Sequence, residues 1–348
     1  MNFRHFAQVK HILIRSANWV GDAVMTTPAV ATIRHNFPNA RITLLAKPWV
    51  LPVFEQTPHV DELMTYDADG RHRGSLGIWR LSRDLYKRQF DLAILFQNAF
   101  EAALIAWLAR IPRRLGFTTD ARSLLLTDRI RTWPGLKKGH LVDYYLGLLT
   151  SAGLTAGNRR LNLFFTADER LAARQTLLAL GISPGARIVG INPGATYGTA
   201  KRWPKERFIA ISRRLITEHH ACILVFGGPG EAGLGAEIAD RVGPGCYNLC
   251  NKTRLRDALA LIGCCHAFVT NDSGLMHVAA ALDIAQVAII GPTDPVATGP
   301  LSPVSRLVQN AGSCGCAPCL KVDCPLDHRC MTSIDVDRVL ETLIEMMP

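Results

Sequence analysis

The sequence predicts an α/β protein built from two doubly wound parallel sheets, one in each half of the chain, and three observations predict it. Short apolar runs of strand length alternate with longer stretches of helical character. That alternation occurs once in each half. The strands are apolar throughout rather than every second residue, as strands covered by helices on both faces are.

In the first half, residues 11–15 read as a strand, 16–21 as a loop and 23–36 as a helix. Further strands fall at 41–46 and 91–96, with helices over 48–56, 76–88 and 99–109. Residues 133–139 and 154–160 read as loops flanking a helix over 141–152, which puts the domain boundary between 155 and 180. The second half repeats the pattern with strands at 187–192, 221–226, 267–270 and 286–290. Its helices cover 205–218, 234–242, 255–262 and 275–282, and a last helix covers 335–347. The expected organisation is a first Rossmann-like domain over 1–165, a second over 166–334 and a C-terminal helix over 335–348. Two such domains facing each other across a cleft bind ligands at the carboxyl ends of their strands.

Composition excludes several classes. Of 348 residues, 48% are hydrophobic and 20% charged, which fits a globular protein and argues against disorder. No apolar run reaches the roughly 18 to 20 residues of a membrane-spanning helix; the nearest, 278–290, is too short and carries Asp283. The N-terminus lacks the apolar stretch of a signal peptide, so a cytoplasmic location is expected. The net charge of +10 is uneven: residues 1–160 hold 22 Lys+Arg against 12 Asp+Glu, and the rest hold 17 of each. The first half therefore either carries a solvated positive face or meets something anionic. It has no basic stretch interleaved with aromatics and no nucleic-acid-binding module, so nucleic acid is not an expected partner.

Four loops at strand ends carry the candidate chemistry. The first follows Ile12-Leu13-Ile14-Arg15 and runs Ser16-Ala17-Asn18-Trp19-Val20-Gly21-Asp22, leading to Thr27-Pro28-Ala29. Its single glycine excludes the Gly-x-Gly-x-x-Gly loop of a dinucleotide-dependent dehydrogenase. Gly21 permits a sharp turn and Asp22 starts a helix, where it reads either as a cap or as a general base for an attacking hydroxyl. The second loop is Asn192-Pro193-Gly194-Ala195-Thr196-Tyr197-Gly198-Thr199-Ala200-Lys201-Arg202-Trp203-Pro204. Small residues, hydroxyls and Lys201 between a strand and a helix suit a diphosphate, although a plain surface loop would look similar. The third is Thr270-Asn271-Asp272-Ser273-Gly274-Leu275-Met276-His277. Asp272 or Ser273 can cap the helix, Ser273 and Gly274 offer N–H groups, and His277 lies one turn further on. The fourth, Phe226-Gly227-Gly228-Pro229-Gly230-Glu231, allows close backbone approach and offers Glu231 to ribose hydroxyls. Two Asp-x-Asp pairs, Asp67 with Asp69 and Asp335 with Asp337, read as a surface loop and a helix start rather than metal sites.

Together these motifs resemble the heptosyltransferases that build lipopolysaccharide inner core, a glycosyltransferase family with the two-Rossmann-domain GT-B fold. The resemblance runs from Ile12 to about Met331 and rests on three pieces. They are Gly-Asp-x-x-x-x-x-Pro-Ala, Lys201-Arg202-Trp203-Pro204, and Asn271-Asp272-Ser273-Gly274-x-x-His277. The runs 18–22 and 192–195 resemble the subgroup that adds the second heptose. The resemblance implies inverting transfer from ADP-L-glycero-D-manno-heptose to the first heptose of the core. Its acceptor would be a phosphorylated lipid A–Kdo–heptose, met by a peripheral enzyme at the cytoplasmic face of the inner membrane. No metal is required at the reaction centre on this reading. Asp22 falls on the family's general base, with Asn18 and Gly21 beside the acceptor. Lys201 falls on a catalytic and diphosphate contact, and Thr196 on a diphosphate contact. Glu231 falls near the ribose contact, and Asp272, Ser273, Gly274 and His277 fall on the donor loop. Lys252 and Thr253 approach the adenine. Tyr197 replaces the second Thr of some relatives, which puts that contact in doubt. Arg71, Arg73, Arg113, Arg114 and Arg122 are candidates for an acidic acceptor. A first-heptose enzyme, another donor or acceptor in the same fold, and a non-enzymatic nucleotide-sugar binder are the competing readings.

Five of the ten cysteines crowd between residues 314 and 330. Cys316, Cys319, Cys324 and Cys330 could close a tetrahedral structural metal site. The tight spacing fits a loop of reduced thiols, or a disulfide formed on isolation, equally well.

Overall fold

The computed structural model describes residues 6, 8–310, 312 and 314–347. Residues 1–5, part of the stretch read as lacking a signal peptide, and Pro348 of the last helix lie outside them. The chain divides into two compact units, Met1–Phe164 and Phe165–Pro348.

The first unit runs β1 (His11–Arg15), α1 (Val20–Asn36), β2 (Arg41–Ala46), β3 (Glu62–Thr65), α2 (Gly74–Tyr86) and β4 (Leu92–Leu95). It continues with α3 (Phe100–Leu108), β5 (Arg113–Phe117), β6 (Asp128–Ile130), α4 (Pro134–Lys138) and α5 (Leu141–Ser151). Its six strands pair in the order β3-β2-β1-β4-β5-β6, all parallel. The second unit opens with α6 (Ala167–Ala179), β7 (Arg187–Asn192), α7 (Lys205–His219), β8 (Ala221–Val225), α8 (Ala232–Val242), β9 (Cys246–Asn248) and α9 (Leu255–Ile262). Then come β10 (Ala267–Asn271), α10 (Gly274–Ala281), β11 (Ala285–Ile290), α11 (Pro295–Thr298), β12 (Ser305–Gln309), α12 (Arg329–Thr332) and α13 (Val336–Ile344). Its order, β12-β11-β10-β7-β8-β9, is the same doubly wound pattern counted from β7. In both sheets the chain reverses direction beside the first strand, between β1 and β4 and between β7 and β10, and loops there splay apart to admit ligands.

The central strands form because they are apolar throughout: β1, β4, β7, β10 and β11 are buried almost end to end. Helix α1 is buried on most sides and carries Pro28 inside it. Pro28 has no N–H for the Val24 carbonyl, and the Thr27 hydroxyl takes that carbonyl instead, at 2.7 Å.

Two expectations are corrected. The helix over 48–56 is only a short 3-10 turn, Leu51–Val53, because Pro52 can neither donate to the carbonyl four residues back nor clear it. Residues 133–139 hold one helical turn, α4, rather than a loop. Helix α7 begins at Lys205 as expected, with Pro204 in the cap position. The strands missing from the sequence reading are β3, β5, β6, β9 and β12, four of which are sheet edges and half-exposed. Helix α6 was missed too, although Thr166 and Glu169 form a capping box at its start. Helix α13 packs on α7, β11 and β12, within the second unit. Among the described residues, no helix is long and apolar enough to cross a membrane.

Candidate active site

In the first unit the loop after β1 is pinned from below by Arg15. Its side chain is buried and donates to the Ser16 carbonyl at 2.7 Å and to Asn18 Oδ1 at 2.8 Å. Burial lowers its pKa to about 10, so it stays cationic at neutral pH. Trp49 Nε1 donates to the Asn18 carbonyl at 2.9 Å. Asn18 is thus held at both ends, and Trp19 beside it is exposed. Trp19 also occupies the cap position of α1 without a side-chain cap bond. Asp22 is therefore not the cap: it is the third residue of the helix, half-buried in the first turn, where the helix dipole favours its negative charge. Gly21 is buried behind it.

The loop after β4, on the other side of the same switch point, is held by Arg122. That guanidinium is fully buried and donates to the carbonyls of Phe117 (2.9 Å) and Gln97, and to Asn98 Oδ1 at 2.9 Å. Asn98 Nδ2 reaches the Tyr144 hydroxyl at 2.9 Å. Tyr144 packs against Tyr145, whose hydroxyl pKa is raised well above the ordinary value, first by burial and then by the charge of Asp22. Tyr145 thus lies near Asp22 and edge-on to Tyr144, while Asn98 and Arg122 hold the loop at the Tyr144 hydroxyl.

This changes the reading of the arginines. Arg122 is structural. Arg114 spends its guanidinium on the carbonyls of Leu125 and Ile111, and Arg113 pairs with Asp128 at 2.5 Å and stacks on Phe6. These three are committed inside the unit and are not available to an acceptor. Arg71 is exposed and pairs with Asp84 at 2.8 Å, and Arg73 is exposed at the start of α2. A cavity of about 770 Å³ in this unit, lined by Arg71, Lys87 and Arg88 among others, lies along β3 and not at the Asp22 loop. Two of its cations are paired within it, Arg71 with Asp84 and Arg88 with Glu62, so the loop geometry is the better guide to the site.

In the second unit one side chain that the sequence reading quoted but gave no role organises everything. Asn271, at the end of β10, is fully buried. Its Nδ2 donates to the carbonyls of Pro193 (2.8 Å) and Gly194 (3.3 Å), and its Oδ1 accepts from the Trp203 N–H at 3.0 Å. It so ties the loop after β7 to the end of β10. Next to it, Lys201 Nζ pairs with Asp272 Oδ2 at 2.8 Å, with side chains only 17% and 6% exposed. An ion pair this shielded holds both groups in one geometry, and it uses Asp272 for Lys201 rather than as a cap. Ser273 is the cap residue of α10 and makes no side-chain cap bond; its hydroxyl turns to Asn192 and Thr270. The first N–H groups of α10, including that of Gly274, are left without a side-chain cap, as an anion site requires.

The other two loops converge on the same end of the sheet. Glu231 accepts from the Gly228 N–H at 2.6 Å and lies so close over Gly194 that a Cβ there would collide with its carboxylate. The Asn251 N–H donates to the Gly227 carbonyl at 3.1 Å, which brings the segment of Lys252 and Thr253 alongside; Lys252 is exposed and Thr253 half-buried. Thr196 is exposed, Tyr197 stands 5.7 Å from Lys201, and His277 is buried one turn into α10.

The cysteine loop supplies a feature absent from the sequence reading. It packs against the turn that carries Lys201. The Ala200 N–H donates to the Val322 carbonyl at 3.0 Å, the Thr199 hydroxyl donates to Asp323 at 2.6 Å, and His328 Nε2 lies 2.7 Å from the Ala200 carbonyl. Gly198 has φ +145°, and any Cβ there would strike Val322. The five cysteines are free thiols. Cys314, left out of the four proposed from spacing, lines the same small cavity as Cys316, Cys319, Cys324 and Cys330. Burial pushes the Cys330 thiol up to about 12. Among the described residues, no group of three or more His, Cys, Asp or Glu stands in an arrangement that would hold a metal ion.

Comparison with known proteins identifies the family. The sequence profile described as glycosyltransferase family 9 (heptosyltransferase) matches residues 78–329. Lipopolysaccharide heptosyltransferase 2 of Salmonella typhimurium is 33% identical over 313 residues, 86% of this chain and 87% of that protein. The solved structure of Escherichia coli ADP-heptose LPS heptosyltransferase II superposes with a TM-score of 0.80 at 29% identity, covering 97% of this chain and 98% of that one. A family 9 glycosyltransferase from Veillonella parvula shares the fold with a TM-score of 0.85 at 24% identity, over 97% of both chains.

Proposed function

The chain belongs to glycosyltransferase family 9, the heptosyltransferases, and on that premise we propose that it transfers heptose from ADP-L-glycero-D-manno-heptose to the first heptose of lipopolysaccharide inner core. It is a glycosyltransferase of the GT-B type. Relatives named heptosyltransferase 2 match at 30% to 33% identity, whereas one named heptosyltransferase 3 is 25% identical.

The observation that carries the reading is the shielded Lys201–Asp272 pair beside the uncapped start of α10, a built site for the diphosphate of a nucleotide sugar. In the proposed reaction an acceptor hydroxyl oxygen attacks the anomeric carbon and its proton passes to Asp22. The bond from that carbon to the diphosphate oxygen breaks, the electron pair leaves with ADP, and the configuration inverts. Lys201 and the N–H groups of Ser273 and Gly274 offset the charge growing on the leaving group. Thr196 adds a hydroxyl donor to the diphosphate, Glu231 binds the ribose, and Lys252 with Thr253 borders the adenine. Asn18 and Gly21 shape the acceptor side next to Asp22, while His277 backs the donor loop. The acceptor is a lipid-borne, phosphorylated sugar, which the protein meets as a peripheral enzyme at the cytoplasmic face of the inner membrane.

The test is transfer from ADP-heptose to a one-heptose acceptor by the wild type and by Asp22→Asn. Turnover should fall by about 10²- to 10⁴-fold with ADP affinity retained. Equal turnover would remove Asp22 from the mechanism, and no wild-type transfer would sink the heptose reading.

A further inference from the structure

The first unit has a surface that its fold does not explain. Helix α2 turns Gly77, Leu81 and Leu85 into the core, so its opposite stripe should be polar. Instead, positions 76, 79, 80, 83, 86 and 87, which share one side at helical spacing, read Leu, Trp, Arg, Arg, Tyr and Lys. All six are exposed, Trp79 by 50%. Helix α3 packs against α2 and ends in Trp107 and Leu108, both also exposed. Arg110 lies 5.8 Å from the Tyr86 ring and Arg83 5.5 Å from the Trp79 ring, so the cations and aromatics form one continuous patch over both helices.

The charge on this patch has a single sign. Between residues 73 and 110 the exposed charged residues are Arg73, Arg80, Arg83, Lys87 and Arg110. The carboxylates of that stretch are only half-exposed and each is engaged: Asp84 with Arg71, Asp91 with the N–H groups of Lys10 and His11, and Glu101 with the Tyr66 hydroxyl.

We propose that this face of α2 and the end of α3 is where the protein docks onto an anionic lipid bilayer. Trp and Tyr are the side chains that settle at headgroup depth, apolar body inward and polar edge outward. Arginines and lysine on the same stripe meet lipid phosphates, and long side chains of this kind reach them while their stems lie on the apolar boundary. A second copy is a poor occupant, because two such faces would set like charges together. The inference rests on the reading of a lipid-borne acceptor and says which surface brings the enzyme to it.

The experiment is flotation of the full chain with vesicles of phosphatidylethanolamine and phosphatidylglycerol, against phosphatidylcholine alone, with no donor or acceptor present. Wild type should bind the anionic vesicles and not the neutral ones. Arg80→Ser with Arg83→Ser should weaken binding about 25-fold, roughly fivefold per charge. Trp79→Ser with Trp107→Ser should weaken it by more than about tenfold, with the melting temperature unchanged. Undiminished binding by both double variants, equal wild-type binding to neutral vesicles, or variants that instead abolish a dimer or binding to an acidic polymer would each overturn the proposal. Vesicle binding without heptose transfer would leave this surface standing and sink only the proposed reaction. Transfer to a soluble acceptor without vesicle binding would do the reverse.

Discussion

The two units share a strand order and differ in almost everything their loops do. In the first, the loops at the switch point are braced by buried arginines: Arg15 under Asn18, Arg122 under Asn98. In the second they are tied by an amide, Asn271, and by one ion pair, Lys201 with Asp272. The charge follows the same division. Residues 161–164 carry no charge, so the whole excess of +10 belongs to the first unit and the second is neutral. Part of that excess is structural, as Arg113, Arg114 and Arg122 show, and part is displayed on the exposed stripe of α2. The lesson is that a shared topology sets where loops emerge, and the polar groups beneath them decide what each unit can bind.

Within the second unit, the largest effect should come from Lys201→Ala. Removing it takes away charge from the leaving group and strands the Asp272 carboxylate, 6% exposed, without its partner. Turnover should drop by about 10²- to 10³-fold and ADP binding should weaken. Unchanged kinetics would mean the donor site lies elsewhere.

A paired comparison sharpens the contrast between units. Asn271→Ala leaves two carbonyls and one N–H buried without a partner, and Arg122→Met leaves two carbonyls in the same state. Each should lower stability by about 2–4 kcal/mol in denaturant unfolding. Only Asn271→Ala should weaken ADP binding. If Arg122→Met weakened it equally, the division of labour drawn here would fail.

The smallest effect is a pH dependence in the second unit. Glu169 hydrogen-bonds with Arg256 at 2.7 Å, which lowers its pKa to about 2 from 4.5. A depressed carboxylate stabilises the fold above its unfolded pKa, and that contribution is lost as pH falls from about 4.5 towards 2. With the side chains 24% and 7% exposed and solvent screening part of the interaction, it is about 1–2 kcal/mol. Glu169→Gln should melt earlier than wild type at pH 7, and the gap should close as pH falls through that window. A gap that does not depend on pH would assign the loss to packing.

How much of this was legible in the sequence depended on local signals. The central strands were, because an uninterrupted apolar run such as Ile188 to Ile191 needs no partner to be recognised. The edge strands β3 and β6 were not, since Glu-Leu-Met-Thr and Asp-Arg-Ile become strands only through neighbours supplied by the tertiary fold. The loops at the site were legible as Gly, Asp, Ser and Lys in strand-to-helix turns. Their support was not. The role of Asn271 depends on three backbone groups far away in sequence, and the grip of the cysteine loop on the Lys201 turn joins residues more than 120 apart. Asp22 looked like a cap because Asp is a common cap residue; the helix begins at Val20, three residues before the expected start at 23, with Trp19 as a cap residue that makes no cap bond.

The most direct measurement is heptose transfer from ADP-heptose to lipid A–Kdo acceptors carrying no heptose or one. Product on the one-heptose acceptor alone is the predicted result. Product on the bare acceptor would contradict the second-heptose assignment, and no product on either, with ADP still bound, would contradict the donor.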